Sequence, residues 1–263
     1  MSEPLLEAEN LSKRFPLRDR PLGRTGGWIE AVQQVSLTLR AGETVGLVGE
    51  SGCGKSTLAH LLCWLLTPSS GLLRFQKQPL ETLRGRSLLE FRRSVQMIFQ
   101  DPMASLDPLM RIGSIVAEPL QIHRIVRGRE LDQRVRSLLQ EVGLDPAWAG
   151  RFPASLSGGQ RQRVGIARAL SLEPRILICD EPVSSLDLSV QAQILKLLSD
   201  LKAQRGLTLL FISHNLATVS AVADRILVMR EGRIVEEGSN PDLFQNPQHP
   251  YTRLLVNLAL QTI

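Results

Sequence analysis

Gly49-Glu50-Ser51-Gly52-Cys53-Gly54-Lys55-Ser56 lies between a short β-branched run, residues 44–48, and an apolar helical pattern, residues 57–66, that stops at Pro68. It fits GxxxxGK[ST], and it stands between a strand and a helix, where that pattern has physical meaning. Glycines let the loop curl so that successive backbone N–H groups face inward and form an anion-binding nest. The helix that follows adds the positive end of its dipole. The reading therefore places a nucleotide's phosphates against Gly49, Ser51, Gly52, Cys53, Gly54, Lys55, Ser56 and Thr57. Lys55 reaches the β and γ phosphates, and Ser56 offers its hydroxyl to Mg²⁺. Cys53 reads as a small filler and not a nucleophile, because nothing beside it supplies a base.

Working outward, Arg175-Ile176-Leu177-Ile178-Cys179-Asp180-Glu181 is an apolar strand ending in two carboxylates. Standing alone, such a pair would be read as a helix cap. Beside a phosphate loop the first acid, Asp180, is suited to orient Mg²⁺, and the second, Glu181, to polarise a water attacking the γ-phosphate.

Other expected strands are residues 5–15, 32–39, 95–99 and 208–212, with a last hairpin near 226–236. Expected helices are 159–170 and 189–205. Residues 17–27, rich in Gly and Arg, read as an exposed hairpin or loop. Between residues 100 and 155 helix-favouring segments, 130–142 the clearest, are broken by Pro102, Pro108, Pro119, Pro146 and Pro153. Strands alternating with helices predict an α/β fold with a mainly parallel sheet.

At 263 residues, 43% hydrophobic and 22% charged, the chain has the composition of an ordinary globular protein. Its net charge of +5 is spread along the sequence, and aromatics are only 4%, against a stacking surface for nucleic acid. The N-terminus has no leader-like pattern, and no stretch approaches the roughly 18 apolar residues a membrane span needs. Cys53, Cys63 and Cys179 show neither CxxC nor pairing patterns, which fits a reducing compartment, and the four histidines suggest no zinc site.

Leu156-Ser157-Gly158-Gly159-Gln160, opening a helix that begins Arg161-Gln162-Arg163, resembles the ABC signature. The resemblance to ABC transporter ATPases covers nearly the whole chain. It implies a P-loop NTPase with a RecA-like core, an antiparallel β subdomain near the N-terminus and an inserted helical subdomain. The ATPase domain would span residues 1–240, with the insertion at about 101–160 and a short extension at 241–263. Ser157, Gly158, Gly159 and Gln160 would serve the nucleotide of a partner subunit. Gln100 resembles the Q-loop glutamine, touching Mg²⁺ and the attacking water. Asp187, in Ser185-Leu186-Asp187, resembles the D-loop, and His214 the switch histidine that holds the γ-phosphate. Phe15 resembles the aromatic that stacks on adenine, with Trp28 as a rival. His214 is followed by Asn215, where close relatives usually carry aspartate.

Residues 99–108, 115–120, 181–193 and 246–252, the last reading Asn-Pro-Gln-His-Pro-Tyr-Thr, resemble the peptide/nickel importer ATPases. Such a system implies a second and different ATPase subunit, two membrane-spanning permease subunits and an extracytoplasmic solute-binding protein. This subunit would sit peripherally on the cytoplasmic face of the inner membrane, with ATP and Mg²⁺ as its ligands and no nucleic acid. The short C-terminus lacks the cysteine-bearing tail of many relatives, against an iron–sulfur cluster. Competing readings are an exporter cassette, a regulatory cassette without catalysis, and a soluble ABC ATPase acting on DNA or the ribosome. The last lacks its usual tandem cassettes, zinc fingers or coiled-coil insertions here.

Overall fold

A computed structural model describes residues 3–18, 25–101 and 105–260. The chain divides into two units, one of residues 1–88 with 208–263, the other Leu89–Leu207.

In the first unit, β1 (Pro4–Arg18) and β2 (Thr25–Arg40) form a long antiparallel ribbon, from Pro4 opposite Arg40 to Arg18 opposite Thr25. The ribbon extends into the stretch expected as loop, since Leu17 pairs with Gly27. Residues 19–24 of that stretch lie outside the described residues. β4 (Ser70–Phe75) pairs along the other edge of β1, and β5 (Gln78–Pro79) follows it. One face of this sheet is apolar: Leu6, Ala8, Leu11, Val35, Leu37 and Leu39 are all buried. That period-two burial is what drives a half-buried antiparallel sheet.

β3 (Thr44–Val48) is buried at every position and runs parallel to β8 (Thr208–Ser213) and β9 (Arg225–Arg230); β10 (Arg233–Ser239) pairs antiparallel with β9. Continuous apolar runs of this kind mark parallel strands covered on both faces. From β3 the chain enters α1 (Lys55–Leu62), which ends earlier than its apolar pattern predicts. Trp64 takes φ 56°, and the N–H groups of Trp64 and Leu65 turn back to the carbonyls of Leu61 and His60. A left-handed residue with this bonding pattern terminates a helix whatever apolar side chains follow. The unit is completed by α7 (Leu216–Ser220), α8 (Asn240–Gln245) and α9 (Pro250–Leu260), with α9 packed on α7.

α2 (Gly85–Ser94) leads into the second unit, where β6 (Val95–Ile98) runs parallel to β7 (Ile176–Asp180). Here α3 (Ile112–Ile122), α4 (Gly128–Glu141), α5 (Gly158–Leu170) and α6 (Leu188–Arg205) make the helical layer. Pro119, expected to break a helix, lies inside α3. The buried face of Ile112, Ile115, Val116 and Leu120 carries the helix past the lost N–H. Arg205 Nε and Nη2 reach the two carboxylate oxygens of Glu141 at 2.6 and 2.5 Å, a two-point pairing that ties α6 to α4. Among the described residues, no helix is long and apolar enough to cross a membrane.

Candidate functional site

The loop between β3 and α1 is built by close approach. A Cβ on Gly54, at φ 110°, would overlap the Ala31 carbonyl, and one on Gly49 would overlap the carbonyl of Met229. Only glycine fits at either place. The loop is also held by the Gly232 N–H, which donates to the Cys53 carbonyl at 2.9 Å. Gly54 is the N-cap of α1 and no side chain caps that helix. The first-turn amides thus have no acceptor within the helix and face outward as anion donors.

Lys55 is buried, and its ammonium donates to the carbonyls of Gly49 and Glu50, each at 2.8 Å. The charge is parked inside the loop by two neutral acceptors, not by a carboxylate, so an anion in the loop meets an unneutralised cation. Ser56 and Thr57 are half-buried on the first turn, while Ser51 and Gly52 are exposed. Burial pushes the Cys53 thiol above its ordinary value, against the pull of Lys55.

In the second unit β7 delivers its acids where the strand ends. Asp180 and Glu181 are both buried. Glu181 has φ 44°, a left-handed backbone that costs energy for a side chain of this size. The turn holding it is closed by Ser184, whose N–H and hydroxyl both donate to the Glu181 carbonyl, at 3.3 and 3.1 Å. The Gln100 side-chain amide donates to Glu181 Oε2 at 3.3 Å. This contact spends the amide nitrogen on the carboxylate and leaves the amide oxygen as an acceptor for a cation. Cys179, just before the acids, is wholly buried, and burial pushes its thiol far up.

Residues 157–160 form a complete capping box. Ser157 Oγ accepts the Gln160 N–H at 3.4 Å, and Gln160 Oε1 accepts the Ser157 N–H at 2.9 Å. Its glycines have a packing role that the sequence did not reveal. A Cβ on Gly159 would overlap Val190 on α6, and one on Gly158 would crowd Leu186. Asp187 caps α6, accepting the Val190 N–H at 2.9 Å and the Ser189 hydroxyl at 2.8 Å. The Val190 amide and the Ser189 hydroxyl hold the Asp187 carboxyl below its ordinary value. Gly158, Gly159 and Asp187 are thus neighbours through α6.

His214 follows β8 and is exposed. Asn215 is the N-cap of α7, accepting N–H groups from Ala217 and Thr218 at 2.9 and 3.3 Å. Asparagine and aspartate are near-equal caps, which gives the departure from the usual aspartate a local structural basis. Phe15 is half-buried on β1, with the Lys13 ammonium 5.4 Å from its ring centroid; Trp28 on β2 is 61% exposed. They lie one register step apart, Phe15 opposite Ile29 and Pro16 opposite Trp28. No cluster of three or more His, Cys, Asp or Glu side chains suited to a metal occurs among the described residues. Ser56 in the first unit, and Asp180 and Gln100 in the second, each carry an oxygen of the hard kind that Mg²⁺ takes, an ion that uses few protein ligands and completes its shell with phosphates and water. Sequence reasoning used residues 246–252 only as a mark of resemblance. It missed that Tyr251, the one tyrosine of the chain, accepts the Glu50 N–H at 3.0 Å.

Residues 32–184 match the ABC transporter family. The glutathione import ATP-binding protein GsiA of Pectobacterium atrosepticum is 48% identical over 256 residues, which are 97% of this chain and 41% of GsiA. The oligopeptide transport ATP-binding protein AppF of Bacillus subtilis is 45% identical over 97% of this chain and 78% of AppF. The chain thus spans about two-fifths of the GsiA relatives it matches. Among solved structures, the dimeric ATP-binding cassette MJ0796 with ADP and Pi superposes with a TM-score of 0.78 at 28% identity, covering 90% of this chain and 99% of that one. CbiO1 of Clostridium perfringens, part of the ABC transporter complex cbiONQ, also gives 0.78 at 28% identity, over 99% of this chain and 97% of that one.

Proposed function

The chain belongs to the ABC transporter family, and on that premise we propose that it is the ATP-binding and ATP-hydrolysing subunit of an importer for peptides or a similar small solute. The observation that carries the catalytic part is the Gln100–Glu181 contact at a buried acid pair, in a chain that also holds an uncapped, lysine-bearing phosphate loop. The importer part is supported by the relatives, whose names specify glutathione import and oligopeptide transport.

In this reading the α1 amides and Lys55 bind the β and γ phosphates and take up the charge that builds on the transferring group. Glu181 accepts a proton from the attacking water, with Gln100 orienting its carboxylate. Ser56 in the first unit and Asp180 and Gln100 in the second are the oxygen donors that would hold Mg²⁺, which would supply charge neutralisation to the phosphates. His214 holds the γ-phosphate, and Phe15 stacks on adenine. Ser157, Gly158, Gly159 and Gln160 cradle the γ-phosphate of a partner subunit's nucleotide, with Asp187 at the facing D-loop. The partners are a second ATPase subunit, two permease subunits and a solute-binding protein, at the cytoplasmic face of the membrane. Residues 1–240 act as the ATPase domain, with the helical insertion at about 101–160 coupling hydrolysis to the permeases.

The test is calorimetric binding of Mg-ATP to the full chain and to Lys55→Ala, followed by ATP turnover with and without permeases and a second ATPase. Binding lost in the variant, with slow turnover that rises on assembly, is the expected result. Undiminished binding in Lys55→Ala contradicts the phosphate-loop assignment.

A further inference from the structure

The C-terminal segment is seated on the first unit through one carboxylate. Glu236 on β10 accepts the N–H groups of Gln248 and His249 at 2.7 and 2.9 Å. Burial opposes its ionisation, but hydrogen bonds from the segment outweigh it and hold the Glu236 pKa below the ordinary value. This seat starts α9, and the first turn of α9 places Tyr251 inward, only 3% exposed. The Arg230 guanidinium lies 5.1 Å from the centroid of its ring. His249 Nδ1 accepts the Tyr251 N–H at 3.1 Å and fixes the backbone at that point.

The Tyr251 hydroxyl then accepts the Glu50 N–H at 3.0 Å, while the Gly49 carbonyl accepts Lys55 Nζ at 2.8 Å. These two groups belong to one peptide unit. In a trans peptide the C=O and N–H point in opposite directions, so the unit is gripped at both ends and its plane cannot rotate freely. The lysine perch therefore depends on a peptide orientation that a residue about 200 positions away holds from behind. Burial, the largest effect, together with the nearby Glu50 carboxylate pushes the phenol upward, so it stays protonated at neutral pH.

We infer that Tyr251 is a positioning residue for nucleotide binding, and that the C-terminal segment is a latch keeping the phosphate loop in its phosphate-accepting shape. The inference rests on the assignment of Gly49 to Ser56 as the nucleotide site. Removing the hydroxyl lowers the fraction of chains with a competent loop and weakens apparent affinity in proportion, leaving the chemistry at saturation alone.

Tyr251→Phe keeps the ring under Arg230 and deletes only the hydroxyl. Its dissociation constant for Mg-ATP, by calorimetry on the full chain, should rise by about fivefold, the scale of one lost part-buried hydrogen bond. In steady-state hydrolysis KM should rise while kcat changes little, a split that general loss of stability does not produce. Glu236→Gln loosens the seat without touching ring or loop and should raise the dissociation constant in the same direction; it decides the matter if Tyr251→Phe does not fold. Wild type that binds Mg-ATP, Lys55→Ala that does not, and Tyr251→Phe indistinguishable from wild type would overturn the latch alone. Wild type that binds no nucleotide would overturn the site on which the latch rests.

Discussion

Gln100 donates its side-chain amide to the Glu181 carboxylate at 3.3 Å, joining the end of β6 to the end of β7. A neutral donor here fixes the orientation of the carboxylate without adding charge to the site. Gln100→Glu sets a second carboxylate against it, and like charges this close repel. The two acids turn away from each other, and ATP turnover should fall by about tenfold or more because Glu181 is no longer aimed at the attacking water. Steady-state hydrolysis at saturating Mg-ATP checks this; turnover equal to wild type counts against Gln100 as the residue that orients Glu181.

Gly159 packs its α-carbon against Val190, so a larger residue meets the start of α6 directly. Gly159→Val should destabilise the second unit by about 1–3 kcal/mol, the usual cost of overpacking. Urea denaturation reads this in the chain alone, without nucleotide. A stability within error of wild type would mean that α5 and α6 are not in the close contact described.

Asn215 caps α7 with two hydrogen bonds. Asn215→Asp should leave unfolding stability nearly unchanged, and Asn215→Ala should lower it by about 1 kcal/mol. The pair of denaturation curves separates a capping role from a catalytic one, because a residue needed only for chemistry would leave both curves on the wild type.

Asp187 has a folded-state pKa below its ordinary value, held there by the Val190 amide and the Ser189 hydroxyl. Such a group contributes stability above the unfolded-state pKa and loses it as pH falls through the folded-state pKa. The advantage of wild type over Asp187→Ala in thermal unfolding should therefore be complete at neutral pH. It should fall away only in acid below the ordinary aspartate range. An advantage that shrinks near pH 6 would point to another titrating group.

The local parts of this protein were legible in its sequence. The phosphate loop, the acid-tipped strand and the segment of residues 156–160 each depend on residues adjacent in the chain, so their patterns carry their own physics. What was hidden depends on distant partners. Trp64 ends α1 by adopting a left-handed backbone that its apolar neighbours gave no reason to expect. Pro119 sits within α3 because the burial of Ile115 and Val116 outweighs the missing N–H. The Tyr251–Glu50 bond crosses about 200 residues, and no periodicity announces it. The glycines of the signature were read as a cradle, and only their approach to Leu186 and Val190 reveals that α5 and α6 need them too.

The claim that Glu181 is the base is tested most directly by Glu181→Gln, whose amide cannot accept the proton. ATP bound and phosphate released should be measured together, at saturating Mg-ATP, in the full chain assembled with the proposed ATPase partner and permeases. Wild-type affinity with phosphate release slowed by about 100-fold or more is the expected pair of results. Wild-type release from Glu181→Gln would contradict it.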